Sequence, residues 1–582
     1  MDFSAITSSD DEVQIDAEQY KQYFWISEKS ELPTLLCYLL NIDPNNYDED
    51  NIGNFEPAYK ILYDLLVPVL ESQREFTLIE EQFYVDRFYR DSFYLYYASK
   101  YRQYSRFCKR LFFFQGTIDD IDAYEEKELE TKFMGTMVIR PLVHGKIGRT
   151  LLNPYFFADK NAYMRYATYE VVVLSKQLRI HAFPFSMQDG ETTTCAEVTI
   201  QNLIDYFSRK YQDYRIALTS EVFERVDQHG YERCLPTKGL KYSEISRVFS
   251  EVGFYPRLYS YRSFQNEHQF KRNMHYYIES GIPVAVGVQR LNTRALHSIT
   301  CIGHGEKHLD EERMKKRVRI SYNKKKENDP IWVIDTADLF DEYIVMDDNK
   351  KPYTKYEWKK IDSVATGAAG NNVSSLFSRD RFSFGEAELT NMMVPLSKRM
   401  FLEAEDAYDL FVDNLSRKDI GIRKWTKTDI GTKDNPLVMR IFLASSRHFR
   451  QTRVKYLRDK NCSARGIYSS ALFPKFVWVC EIYSVQSYLD PNPSVIAELV
   501  IDATSSSHDR NNVIIYNYKK VIRVSNSLKA EESFNGGIGQ SDDQPSQIEG
   551  PEVDEGYFFK VSNPTDLQPY THNLHLPSAV YR

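Results

Sequence analysis

The chain has 582 residues, too many for one compact core, and at roughly 150 residues per domain it should hold about three or four units. Hydrophobic residues make up 42% and aromatics 14%, a globular composition that excludes a disordered protein. With 74 basic against 82 acidic residues the formal charge is −8, so no global field favours nucleic acid or an anionic membrane.

The N-terminus, MDFSAITSSDDEVQIDAEQY, is acidic and has neither the basic start nor the apolar core of a secretion signal. No apolar run reaches the roughly 18 residues of a spanning helix. The expectation is a soluble, cytoplasmic protein with no membrane partner. Helical periodicity covers 18–41 and 56–72, where Ile61, Leu65 and Val69 share a face. EFTLIEEQFYV reads as a strand, and an aromatic-studded helix from Asp86 runs into a second strand at RLFFF. The charged loop DDIDAYEEKELE closes an N-terminal α+β region at 1–130.

Two β-like stretches flank Pro141 and Gly145, and YEVVVLSKQLRIHAFPF is strand-rich. A helix opens at Cys195, and another follows Gly239 with Ile245, Val248 and Phe249 on one face and Gly253 as its stop. YYIESGIPVAVGV, LHSITCIGHG, DPIWVID and DEYIVMDD are short β-type runs. This region, 131–361, is expected to be one domain. Residues 362–380, small and polar, read as a linker. In 381–527, a second α+β domain, PLVMRIFLASSRHFRQTRVKYL reads as a helix, while FPKFVWVCEIYSV and SVIAELVIDATSS read as a strand pair. An acidic, breaker-rich segment expected to be mobile (528–556) and a C-terminal tail (557–582) complete the chain.

The seven cysteines are scattered and odd in number, which points to reduced thiols. Cys195 stands apart because it opens a helix. A cysteine attacks as thiolate, and the unpaired N–H groups and macrodipole of a first helical turn favour negative charge there. Thr192, Thr193 and Thr194 precede it as caps. His297 starts an apolar strand, where an imidazole can act as general base and then acid. Asp347, at the end of a later strand, can orient the imidazole; Asp348 is the alternative, since alternation turns only one of the two inward. Gln188 can supply an oxyanion donor, with the Cys195 backbone N–H as the second.

On MQDGETTTCAEVT, on GIPVAVGV followed by ALHSITCIGHG, and on YIVMDD, residues 183–353 resemble the papain-like cysteine peptidases, and in particular the bacterial branch that processes double-glycine leader peptides. The resemblance implies a helical half packed on an antiparallel sheet, within an α+β chain. It also implies a nucleophile at Cys195, a base at His297, an orienter at Asp347 and an oxyanion donor at Gln188, with no cofactor and no metal. Where the family has Cys-Gly-Pro this chain has Cys-Ala-Glu, and a charged insertion (GEKHLDEERMKKRVRISYNKKKEND) separates His297 from Asp347. The flanking regions resemble bacterial proteins of no stated activity.

The reading is a thiol hydrolase restricted to a specific protein or peptide substrate, with 309–328 as a movable lid. The alternatives are an acyltransferase on the same triad and an inactive binding protein that keeps the fold. A zinc site on Cys301, His304 and His308 lacks convergent geometry. The basic run at 313–326 could touch nucleic acid, but its flanking acids make it read as a solvated loop instead. Arg440, Ser446, Glu481 and Asp502 read as structural ion pairing. The sequence leaves the oligomeric state open.

Overall fold

The computed structural model describes residues 20–43, 56–227, 234–263, 267–291, 293–307, 310–321, 330–360, 382–426, 429–506, 512–525, 546–548 and 556–581. Helices and antiparallel sheets are both abundant, an α+β protein. The expected linker at 362–380 lies outside the described residues, as does most of 528–556. The chain divides into two compact units. One comprises Met1–Phe157, Tyr166–Gly239 and Asp348–Pro352; the other comprises Ala158–Arg165, Leu240–Asp347 and Tyr353–Arg582.

The first unit is built on a five-stranded antiparallel meander, Lys21–Ile26, Phe76–Tyr84, Cys108–Gln115, Phe133–Arg140 and Lys146–Leu152, in chain order. Lys21–Ile26 was expected to be helical. It is instead an edge strand whose QYFWI core is aromatic and β-favouring, with Trp25 half exposed. The helix Pro57–Gln73 buries Ile61, Leu65 and Val69 as the periodicity requires. The charged stretch expected as a loop forms a short helix, Glu126–Lys132, which buries Leu129 alone. The expected boundary at 130 is spanned by the pairing of Cys108–Gln115 with Phe133–Arg140.

A hairpin, Ala167–Val173 with Lys176–Ala182, then returns the chain to the meander. Phe185 bridges Thr150, and the Met187 amide donates to the Ile147 carbonyl at 2.9 Å. The segment leading to Gln188 is thereby laid along the strand Lys146–Leu152. The helix Cys195–Lys210 is pinned to that strand by Arg149, which donates to Asp205 at 2.7 and 3.2 Å.

In the second unit six antiparallel strands pair in a path that closes on itself: Val284–Arg290, Leu296–His304, Glu342–Met346, Thr354–Lys360, Phe382–Phe384 and Ala387–Ser397, the last pairing back onto the first. Closure removes the free strand edges. Phe254–Ser260 adds to Ala387–Ser397, and Tyr163–Met164 adds to Leu296–His304 beside a bulge at Gly303. There a Cβ would sit 2.1 Å from the Tyr163 carbonyl oxygen, so only glycine admits the approach. The expected division at 362–380 is crossed by this ring and by the parallel pairing of Ile331–Asp335 with Leu437–Ser445.

That parallel pair belongs to a nine-stranded sheet that continues through Phe476–Ser484 and Ala497–Asp502, the expected strand pair. PLVMRIFLASSRHFRQTRVKYL is not one helix. Leu437–Ser445 is a strand and Ser446–Asp459 a helix. YYIES likewise ends the helix Glu267–Glu279 and is not β. The C-terminal residues are part of the fold: Gly556–Lys560 is a strand of this sheet, and Leu567 bridges Val495.

A charged chain runs through the interior of this unit. Arg453, fully buried, donates to Glu481 at 2.7 Å and to Glu498 at 2.9 Å. Arg440 joins Glu481 (2.9 Å) to Glu279 (2.7 Å), and Glu279 meets His304 Nε2 at 2.9 Å. Tyr468 and Tyr483 donate to Glu498 and Glu481. Burial pushes the Glu498 carboxyl up despite Arg453. The expected ion pairing of Arg440 with Glu481 is thus present, while Asp502 accepts from the Thr504 amide and Ser446 donates to the Lys475 carbonyl.

Candidate functional site

Cys195 is the first residue of its helix and is partly exposed, with Thr194 as N-cap. Glu197 reaches back to accept from the Thr194 amide at 2.9 Å and from its hydroxyl, completing the Ser/Thr-x-x-Glu capping box that the sequence carries as TCAE. The second Glu197 oxygen accepts from Thr237 Oγ1 at 2.5 Å, so this carboxylate is wholly enclosed.

Thr192 and Thr193 do not cap. They belong to a turn built around Asp189, whose Oδ1 accepts from the amides of Glu191 (2.9 Å), Thr192 (2.7 Å) and Thr193 (2.9 Å). Oδ2 accepts from Thr192 Oγ1 (2.6 Å) and Arg140 (3.3 Å). Burial raises the Asp189 carboxyl, but Arg140 and these hydrogen bonds outweigh it and hold it below its ordinary value. Gly190, at φ +79°, makes the turn that any other residue would strain. The loop presenting Cys195 is therefore fixed from within, and its signal in the sequence is the Asp-Gly pair.

Gln188, in the same unit, donates through Nε2 to Asn349 Oδ1 at 3.2 Å. Asn349 in turn donates to Asp348 Oδ1 at 3.2 Å.

His297 and Asp347 lie in the other unit and are brought together. Both are buried, and Nε2 meets Asp347 Oδ1 at 2.8 Å. An ionised carboxylate only accepts, so against it Nε2 is the donor. Asp347 Oδ2 accepts from the hydroxyl of Tyr356, on the next strand. Burial first, and then Asp347, push the Tyr356 phenol up, so it stays a donor. Tyr356 was not singled out by sequence; its only cue is its place on a strand that follows Asp347.

Because Tyr356 holds Asp347 through the oxygen the imidazole does not use, Tyr356→Phe should loosen the His297 N–H. In proton NMR with labelled histidine, the downfield Nε2–H signal of the parent protein is expected to broaden or vanish in the variant. A signal of unchanged width and position would refute the positioning role.

His297, Asp347 and the adjoining Asp348 are the His/Cys/Asp/Glu group among the described residues able to hold a metal ion. Asp347 is already engaged by an imidazole N–H and a phenol. The weighed zinc set does not assemble from what is described: His304 bonds Glu279 and the Gly305 carbonyl, and Cys301 approaches the Gly303 carbonyl at 3.6 Å. His308 lies outside the described residues.

The described part of the insertion is packed. Met314 of the helix Glu311–Lys316 is buried, Arg313 pairs with Asp341, and Arg319 pairs with Asp338 at 3.1 Å. These contacts do not fit a lid spanning 309–328; residues 309 and 322–328 lie outside the described residues. Among the described residues no helix is long and apolar enough to cross a membrane. Comparison with protein-family models and with curated proteins finds no match for this chain.

Proposed function

We propose that the protein is a thiol hydrolase acting on a specific protein or peptide, with Cys195 as nucleophile, His297 as base and acid, Asp347 as orienter and Gln188 as oxyanion donor. The observation that carries the reading is the buried hydrogen bond between His297 Nε2 and Asp347, two residues singled out by their places at a strand start and a strand end. In this reading His297 takes the thiol proton and, as imidazolium, returns it to the leaving group. The acyl group passes from Cys195 to water.

One observation favours the inactive binding protein. The Glu197 carboxylate takes the N-cap amide at the helix end that would otherwise face a thiolate.

Thiol labelling separates the two. Burial pushes the thiols of Cys108, Cys301, Cys462 and Cys480 up, and Cys37 is buried, so these five should react slowly with iodoacetamide at neutral pH. Cys234 shares the partial exposure of Cys195 and serves as the internal control. Cys195 is expected to label at least tenfold faster than Cys234, and His297→Ala should remove that advantage. Equal rates for the two thiols, untouched by His297→Ala, would leave the binding protein as the better account.

A further inference from the structure

The helix Ser446–Asp459 has two unlike faces. Phe449, Arg453 and Leu457, four residues apart, turn inward and are buried. On the opposite side Arg447, Gln451, Lys455 and Arg458 are exposed, with Arg450 partly so. These residues line a surface groove of about 610 Å³ whose far wall includes Phe473. The Arg450 guanidinium sits 5.0 Å from the centre of the Phe473 ring and donates to the Ala471 carbonyl at 2.8 Å.

The groove contains four cations and no acid. Arg458 pairs with Asp459 at 3.4 Å, whereas no acidic partner is found among the described residues for Arg447, Arg450 or Lys455. The basic insertion differs in this respect. Its Arg313 and Arg319 are spent on Asp341 and Asp338, and its Lys315 and Lys316 on Glu311 and Glu312.

We infer that this groove binds a single-stranded polynucleotide, the cations following its phosphates and the partly exposed Phe473 ring, which carries Arg450 on it, lining the wall beside its bases. From Arg447 to Arg458 the row runs about 16 Å along the helix. A phosphopeptide is held by basic groups converging on one phosphate, and a row of this length fits a chain of them instead. An aromatic wall favours unstacked bases over a duplex, whose base faces are covered. The chain's net negative charge does not oppose this, because exposed charges beyond about 8–10 Å are screened at physiological salt. The inference is independent of the proposed hydrolase.

The test is fluorescence anisotropy of the full chain with a labelled twelve-nucleotide poly-dT, from 50 to 200 mM KCl. Four neutralised phosphates predict a slope of log K against log salt near −0.7 each, about −2.8 in all, and so about a fiftyfold weakening over that range. The double variant Arg447→Gln/Lys455→Gln, altered only at exposed positions, should halve the slope. Phe473→Leu, which keeps apolar bulk, should weaken binding about tenfold with the slope unchanged. Absence of binding at 50 mM, a slope the double variant leaves intact, equal affinity for the matching duplex, or tighter binding of a doubly phosphorylated peptide would each overturn the inference.

Discussion

Cys195→Ala and His297→Ala are each expected to abolish turnover, by on the order of a millionfold for either one alone, because nucleophile and base act as one unit. Asp347→Ala should keep partial activity, costing about a hundredfold less than either, since an orienter supports the base without touching the bond being broken. A fluorogenic peptide library read alongside a peptide vinyl-sulfone probe measures both effects. Asp348→Ala should change little, its Oδ1 accepting from Asn349 while Asp347 holds the imidazole. If Asp348→Ala proved the more damaging, or if His297→Ala retained full turnover, the assignment of base and orienter would fall.

The second large effect concerns stability. Arg453→Ala is expected to destabilise the fold by about 3–5 kcal/mol, because it leaves the carboxylates of Glu481 and Glu498 buried with one guanidinium gone. Losing half of a buried pair costs more than losing all of it, so Arg453→Met/Glu498→Gln should recover much of the deficit. Urea unfolding followed by tryptophan fluorescence reads this directly, since Trp478 lies on the strand that carries Glu481. A midpoint in Arg453→Ala indistinguishable from the parent would mean that water reaches these carboxylates and that the chain of charges is not an interior one.

How legible these features were depended on how local their causes are. The Cys195 helix, the strands around His297 and Asp347 and the pair Phe476–Ser484 and Ala497–Asp502 follow from capping residues, turn residues and apolar runs close in sequence. Leu437–Ser445 did not, because it is buried on both faces and reads as an apolar run broken only at Arg440. With an amphipathic helix attached directly to it, periodicity alone offers no place to divide the two. The domain boundaries were hidden for another reason. Val284–Arg290 is completed by Ala387–Ser397, about a hundred residues on, and no composition change marks a partner so distant. Tyr356 is one of 42 tyrosines; its strand pairing sets it opposite Tyr343, and only the reach of its hydroxyl to Asp347 distinguishes it. Arg453 was overlooked within a helix that otherwise shows its charges to water.

The closed ring of six strands bears on how the protein is made. The strand bearing His297 is flanked by Val284–Arg290, whose other edge stays open until Ala387–Ser397 arrives. A chain emerging from the ribosome therefore cannot complete the framework around His297 and Asp347 until Ser397 is clear of the exit tunnel. During that interval an apolar strand edge lies bare. For the same reason a fragment that stops near residue 361 does not isolate a smaller version of this protein. Such a fragment lacks the partner of Val284–Arg290 and leaves that strand edge unpaired, the kind of edge that invites aggregation.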